Sequence, residues 1–314
     1  MGIYILKRLG MLVPVLIGIG TVVFFLISLI PGDAVSVMLG TNATPETAAE
    51  LRKNLGLDQP VYVRYFEWMG GALQMDFGDS IRTGKPVMEE FFSRLPATLE
   101  LALLSLIVAL LIGISIGVLS AFKRNSLISH ISSTISLLGI SIPGFWLGTM
   151  LILFLSLKLN LIPPGGFVPF AEDPIQNLKL MLLPALTLGT SMAAVIMRMT
   201  RSAILEVVQQ DYMKTAQAKG VTPRLYKYKH AFKNALIPVL TVVGIQAGYL
   251  LGGAVIIEEV FALPGVGRLA LQAIYQRDYP LVQVTVLMFA LGFVLVNLIV
   301  DVIYAYVDPR IRYE

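Results

Sequence analysis

Six long apolar runs, separated by polar segments of unequal length, organise this chain. They cover residues 9–30, 99–121, 132–157, 180–199, 237–257 and 281–306. The first carries no charged residue. At 1.5 Å per residue it reaches about 33 Å, enough for a hydrocarbon core of about 30 Å. A signal peptide would have an apolar region of about 7–15 residues and a small-x-small cleavage site. This run is longer and ends Leu29-Ile30-Pro31-Gly32-Asp33, so it reads as a permanent span. Pro14, Pro143 (followed by Gly144) and Pro184 fall inside runs, where each removes a rung of the helical hydrogen-bond ladder.

The polar segments predict further elements. In residues 31–96, Thr44-Pro45-Glu46 opens a helix that ends before Gly56. Residues 61–74 predict a second helix with an apolar stripe of Tyr62, Tyr65, Phe66 and Met69, and 86–94 a third. Together they make a small extramembrane helical subdomain, too short to bury a large core alone. Residues 158–179 read as a connection rich in Pro and Gly, 258–280 as a polar loop, and 308–314 as a short tail.

Residues 211–238 form the one long polar island of the C-terminal two-thirds. It holds Lys214, Lys219, Arg224, Lys227, Lys229 and Lys233 against a single acid, Asp211. Asp211 reads as the N-cap of a short helix through Lys219, and Gly220 as its end, since glycine takes positive φ without a Cβ penalty. Thr222 and Pro223 supply a cap and a first-turn proline for a second helix. In it Leu225, Tyr228, Phe232 and Ala235/Leu236 recur at helical spacing, which predicts an amphipathic helix in the headgroup plane.

Composition narrows the class. The 314 residues are 56% hydrophobic and 14% charged, where a soluble domain carries about 25% charge. The chain is an all-α integral membrane protein of six transmembrane helices. Cysteine is absent, which excludes disulfides, thiolate metal sites and cysteine nucleophiles. The net charge is +4, and the basic residues sit at span ends as topology alone requires, which gives nucleic-acid binding no support. Lys7, Arg8, Lys123, Arg124, the island, Arg310 and Arg312 share one side of the membrane, which the positive-inside rule makes cytoplasmic, with both termini. Residues 31–96 then face outside; a loop of that length crosses largely regardless of charge.

Covalent chemistry finds no foothold. The nearest match to a phosphate-binding Gly-x4-Gly-Lys-Ser/Thr loop, Gly78 to Gly84-Lys85, has the wrong spacing and a following Pro86. His130 and His230 belong to no ligand-spaced cluster. No metal or cofactor is expected. Gly113-xxx-Gly117, Gly144-xxx-Gly148 and Gly244-xxx-Gly248-xxx-Gly252 place small residues on single helix faces, where backbones approach closely. Asn297 and Asp301, one turn apart in the sixth run, are the intramembrane polar pair. Pro143, Gly144, Gly248, Asn297 and Asp301 are the candidates for a gating or pathway role; for Asp301 an ion pair near the cytoplasmic edge is the competing reading.

The island reads Asp211-Tyr212-x-x-Thr215-Ala216-x-Ala218-Lys219-Gly220, then His230-Ala231-x-x-Asn234-Ala235-x-x-Pro238. It resembles the cytoplasmic "EAA" loop of permease subunits in binding-protein-dependent ABC importers, in the wording of the dipeptide/oligopeptide/nickel branch. Lys214 stands in the Glu place, Thr215 and Ala216 in the two Ala places, and Pro238 falls later than the general spacing. Leu57-Asp58-Gln59-Pro60, Asp76-Phe77-Gly78, Leu263-Pro264-Gly265, Arg277-Asp278-Tyr279-Pro280 and Asp308-Pro309-Arg310 are also similar to that branch, so the resemblance covers nearly the whole chain.

The resemblance implies a type I ABC-importer permease fold. Residues 1–30 would form the N-terminal transmembrane helix and 31–96 an extracytoplasmic subdomain. Residues 97–306 would form the permease core, with a coupling loop at 200–236, and 307–314 a cytoplasmic tail. It implies a non-catalytic translocation subunit of the bacterial or archaeal inner membrane. Its partners would be a second homologous permease, two cytoplasmic ATPases that bind the ATP, an external solute-binding protein and membrane lipid. Asp211, Tyr212, Lys214, Thr215, Ala216, Ala218, Lys219 and Gly220 would contact the ATPase. Short peptides are the expected solute, with nickel chelates or glutathione as the alternative. An ion-coupled secondary transporter is the reading from a different class; it would need midplane titratable groups or inverted repeats.

Overall fold

The apolar runs lie in helix apart from a break at Ile142 and Pro143, because a segment that crosses lipid can satisfy its N–H and C=O groups only internally. The computed structural model describes residues 2–29, 35, 39, 44–54 and 56–307. The expected tail at 308–314 falls outside the described residues. Among the described residues five helices are long and apolar enough to cross a membrane, and one bent pair makes a sixth if it crosses as a single span. The chain divides into two units, Met1–Pro96 with Pro264–Gly292, and Ala97–Leu263 with Phe293–Glu314.

In the first unit α1 is Gly2–Leu29 and carries Pro14 inside it. Helix α2 is Pro45–Asn54. Thr44 and Thr47 cap its start reciprocally: the Thr47 N–H donates to Thr44 Oγ1 at 3.2 Å and the Thr44 N–H to Thr47 Oγ1 at 3.1 Å. Helix α3, Val61–Leu73, packs on α1 through Tyr65 and Trp68. The Tyr65 hydroxyl shares a 2.8 Å hydrogen bond with Thr21 Oγ1, and the Phe24 ring lies 5.4 Å from that of Tyr65 and 5.7 Å from that of Trp68. The expected stripe is corrected here. Tyr62 and Phe66 are exposed, and Trp68 belongs to the packing face. Apolar residues surround this helix, so their spacing alone does not tell which side meets α1.

A second correction concerns 258–280. Val266–Gln276 is a helix, α10, with Val266, Leu269, Ala270 and Ala273 buried at 3–4 spacing. Arg277 ends it in the left-handed conformation at φ 57°. Its buried face joins Phe77, Val87, Phe91, Leu281 and Val284 in one core. The segment that holds Phe77, Val87 and Phe91 therefore completes its core with chain from near the other end of the sequence. The next residue, Asp278, is 2% exposed and pins that junction. Its carboxylate accepts from Ser80 Oγ at 2.5 Å, from the N–H groups of Ile81 and Arg82 at 3.3 and 3.4 Å, and from the Leu281 N–H at 3.4 Å. It thus caps α11, Tyr279–Val307, and holds the loop at 80–82. Hydrogen bonds to a charged acceptor contribute about 1.5–3 kcal/mol each. Asp278→Ala is expected to raise amide hydrogen exchange at residues 80–86 by at least tenfold, about 1.4 kcal/mol, measured by mass spectrometry. Unchanged exchange there would show that the pin contributes nothing.

In the second unit, α4, Val87–Phe122, merges what the sequence divides into a helix at 86–94 and a span at 99–121; only its residues from 97 belong here. Pro96 lies inside it rather than at a boundary. The expected third span is not continuous. Helix α5, Leu127–Ser141, and α6, Gly144–Leu151, which continues π-wound as Ile152–Lys158, meet at a 103° bend. Ile142 is extended at ψ 123°, as a residue before proline is driven to be, and Pro143 follows at ψ 133°.

Helix α7, Pro174–Val208, is far longer than the expected 180–199. Asp173 caps it, accepting from the N–H groups of Ile175 and Gln176 at 3.1 and 3.0 Å. Both cores of this unit are built on α7. One takes Met181 and Leu183 with Leu101, Ile257 and Phe261; the other takes Met192, Ile196 and Ile204 with Ala109 and Val239. Glycines bring α4 against it. A Cβ at Gly113 would lie 2.9 Å from the Ala193 carbonyl oxygen, and one at Gly117 would lie 2.7 Å from Thr200 Cβ.

Helix α8 is Asp211–Ala218. A second helix starts at Pro223, is π-wound over Leu225–Phe232 and runs on without a turn as α9, Lys233–Val260. The expected separate surface helix is therefore the first part of the fifth span. The π winding also moves the buried face. Ala231, Ala235 and Val239 are buried, whereas Leu225 and Tyr228 of the expected stripe are exposed.

Candidate functional site

The island folds around one apolar anchor. Met213 of α8 is fully buried, in the core formed by Ile204, Ala231 and Ala235. The other residues of α8 are exposed, with Ala216 half-buried. The N-cap is Gln210, which makes no side-chain capping bond, so the expected role of Asp211 is corrected. Asp211 occupies the first turn, where a negative charge suits the helix dipole. It pairs with Lys214 Nζ at 2.8 Å. Both side chains are exposed, so that pair contributes at most about 1 kcal/mol. At the other end Lys219 is the C-cap and Gly220 stands at φ 74°, as expected of a residue that ends a helix in the left-handed region.

Tyr212 ties α8 to the long helix. Its hydroxyl accepts from Asn234 Nδ2 at 2.9 Å and donates to the His230 carbonyl at 3.4 Å; the same Asn234 amide donates to that carbonyl at 2.8 Å. Asn234 and Met213 escaped the sequence reading. Their signal was present: Met213 is the lone apolar side chain flanked by polar ones, and Asn234 lies a turn before Pro238 in the quoted pattern.

The helix break at Pro143 opens a cleft of about 420 Å³. Gly139, Ile142, Pro143 and Gly144 form one wall, Leu188, Ser191, Met192 and Val195 of α7 the second, and Gln246, Tyr249, Leu250 and Gly253 of α9 the third. Its volume falls in the range of ligand pockets, about 300–1,000 Å³. The lining is mainly apolar, with Ser191, Gln246 and Tyr249 as the polar side chains. Pro143 and Gly144, two of the pathway candidates, line this cleft. Gly248 does not line the cleft; a Cβ there would meet the Phe293 ring at 2.7 Å. Asn297 donates to the Phe293 carbonyl of its own helix at 2.8 Å, and Asp301 follows on α11, half-buried. Sequence reading missed Glu258, which is fully buried and accepts from Thr98 Oγ1 at 2.6 Å. It was assigned to a loop because it follows the last long apolar stretch of its helix.

Residues 113–313 match the family described as "binding-protein-dependent transport system inner membrane component", and residues 1–102 match the N-terminal region of such membrane components. The chain belongs to this family. Its relatives align along their full length. The dipeptide transport system permease protein DppB of Alkalihalophilus pseudofirmus is 44% identical over 331 residues, covering 99% of each chain. The Escherichia coli protein of that name is 43% identical over 335 residues, again covering 99% of each. Among solved structures, the inward-facing MetNI methionine ABC transporter superposes with a TM-score of 0.57 at 23% identity. It covers 71% of this permease and 98% of that chain. An amino acid ABC transporter crystallised with histidines gives 0.55 at 16% identity, covering 70% and 94%. These likenesses establish the type I importer fold. The permease is a multi-pass membrane protein, and the resemblance read from the island extends over the whole chain.

Proposed function

We propose that this permease imports short peptides, paired with a second permease and driven by two ATPases at its cytoplasmic face. The observation that carries the solute class is the 44% identity to a dipeptide permease along 99% of both chains. An external binding protein delivers the peptide, and the partners bind and hydrolyse the ATP. The lysine and arginine distribution puts both termini and α8 inside. This chain makes and breaks no covalent bond; it changes packing.

The mechanical route follows from the site. The ATPase bears on the exposed residues of α8, namely Asp211, Tyr212, Lys214, Thr215, Ala218 and Lys219, with half-buried Ala216 beside them and Gly220 setting the turn. The Tyr212–Asn234 hydrogen bond passes that displacement to the helix ending at Val260. From Asn234 to Tyr249 that helix spans about 22 Å, and Tyr249 lines the cleft. One continuous helix joins the coupling surface to the solute path. The two nucleotide states need only differ in their affinity for two packings of the bundle to shift its population. Pro143, Gly144, Gly248, Asn297 and Asp301 are the places where repacking is absorbed.

Uptake of a labelled dipeptide into proteoliposomes holding all subunits tests the proposal. Uptake should need ATP and the binding protein. Persistence without nucleotide, with collapse on adding a proton ionophore, would overturn it. Ser191→Trp, which fills the cleft, is expected to cut uptake about tenfold, the effect of about 1.4 kcal/mol of added barrier, while leaving the subunits assembled. Wild-type uptake by this variant would remove the cleft from the path.

A further inference from the structure

A second cavity, of about 470 Å³, opens in the second unit between the end of α4 and the π-wound segment. Its floor is Ile114, Ser115, Val118 and Leu119, apolar but for the one hydroxyl. Lys123, Lys227, Tyr228 and Phe122 stand at the other end, with Phe232 on the side. No acidic residue lines it, and Arg124 and Lys229 adjoin the two lysines in sequence. Lys227 Nζ lies 5.5 Å from the centre of the Phe122 ring, a cation–π contact that keeps the ammonium at the mouth. From Lys123 back to Ile114 the helix covers about 13 Å, passing from the charged end of a span into its hydrocarbon-spanning part.

One occupant suits a cationic mouth over an apolar trough at the edge of a span. A soluble anion has no use for the floor, and a zwitterionic lipid brings a headgroup cation that the two lysines repel. We propose that this cavity holds an anionic phospholipid, with its phosphate at the Lys123–Lys227 mouth and one acyl chain along Ile114, Val118 and Leu119. Basic pockets between spans at the cytoplasmic side select anionic headgroups in this way. Lys227 and Tyr228 belong to the π-wound segment, and π turns recur where a helix has a functional task. That segment continues into α9, which lines the cleft, so a bound lipid sets where the connecting helix rests. Binding stands on the cavity alone; the effect on uptake, and the choice of the inner leaflet, rest on the proposed function.

The test uses the complete transporter in phosphatidylcholine nanodiscs with increasing dioleoyl phosphatidylglycerol. Native mass spectrometry counts retained phosphatidylglycerol, and proteoliposomes of the same lipids report ATP-driven uptake. The wild type should retain this lipid and transport faster as its fraction rises. Lys123→Gln with Lys227→Gln should weaken retention about tenfold or more and flatten the uptake response. Val118→Trp, which fills the floor and leaves the charge unchanged, should do the same. Retention unchanged in both variants would overturn the proposal. So would displacement of the lipid by millimolar inorganic phosphate, which would mark a simple anion site. The chain has no cysteine of its own, so Lys123→Cys gives a unique crosslinking position. Efficient crosslinking of it to an ATPase subunit would show a protein-covered surface and would also overturn the proposal. Retention that depends on the lysines, in a preparation without peptide uptake, would sustain the lipid site and count against the peptide reading alone.

Discussion

Gly220→Pro is expected to abolish peptide uptake while leaving the permease inserted and folded. Gly220 stands at φ 74°, and its N–H donates to the Gln217 carbonyl at 3.0 Å. Proline holds φ near −65° and has no N–H. It must therefore rotate the backbone out of the left-handed region and give up that hydrogen bond, at a cost of about 3 kcal/mol or more. This lowers the population of the native turn by a factor of about 150. The cost falls on the turn between α8 and the helix that begins at Pro223, the turn that in the proposed mechanism fixes how α8 is presented to the ATPase. No Cβ neighbour lies within 4 Å of Gly220. Gly220→Ala therefore meets only the left-handed strain of an L-residue, about 1–2 kcal/mol, and should retain a tenth of the uptake or somewhat more. A bulky residue at half-buried Ala216 should also block coupling. The measurement is ATP-driven uptake alongside peptide-stimulated ATP hydrolysis, with insertion checked by protease protection. Normal uptake by Gly220→Pro would sink the coupling assignment.

Gly117→Val should clearly destabilise the bundle, and Gly252→Ala should be harmless. A Cβ at Gly117 would lie 2.7 Å from Thr200 Cβ and 2.9 Å from the Met197 carbonyl oxygen. One of those obstacles is backbone and cannot swing aside, so α4 and α7 must separate. Overpacking of this kind costs about 1–3 kcal/mol, and the branched side chain puts Val at the upper end. At Gly252, in the equally regular Gly244-xxx-Gly248-xxx-Gly252 series, nothing lies within 4 Å. Alanine there gains about 1 kcal/mol of helix propensity. Thermal unfolding of the purified permease separates the two: a clear fall in Tm for Gly117→Val, and an unchanged or raised Tm for Gly252→Ala. Equal effects would mean that the close approach of α4 and α7 does not carry the packing.

The glycine motifs mark how far one dimension reaches. Gly113 and Gly117 press on α7, and Gly244 and Gly248 press on Val300 and Phe293, while Gly252 touches nothing. Yet the three motifs read alike in the sequence. A helix in lipid is apolar toward its protein neighbour and toward the bilayer, so hydrophobic spacing does not say which side is packed. In α3, apolar residues on more than one side misplaced the stripe for a related reason.

What the amino-acid order determined by itself is whatever local covalent chemistry dictates. Six apolar runs are long enough for six crossings. Proline at 143 drives the residue before it to extended backbone, which breaks the third run. Glycine at 220 alone tolerates the left-handed turn that ends α8. A chain of basic residues with one acid marks the island to which we assign coupling. Only the tertiary structure decided what depends on a neighbour. It drew the residues of the expected loop after 258 into α10 by offering Phe77 and Phe91 to cover them. It wound residues 225–232 as a π helix, so that Ala231 joins the expected Ala235 in the core while Leu225 and Tyr228 stay exposed. It also set the broken span, α7 and α9 around one cleft. Those outcomes hinge on side chains far apart in the chain competing for the same buried surface, and no periodicity within a single segment records that competition.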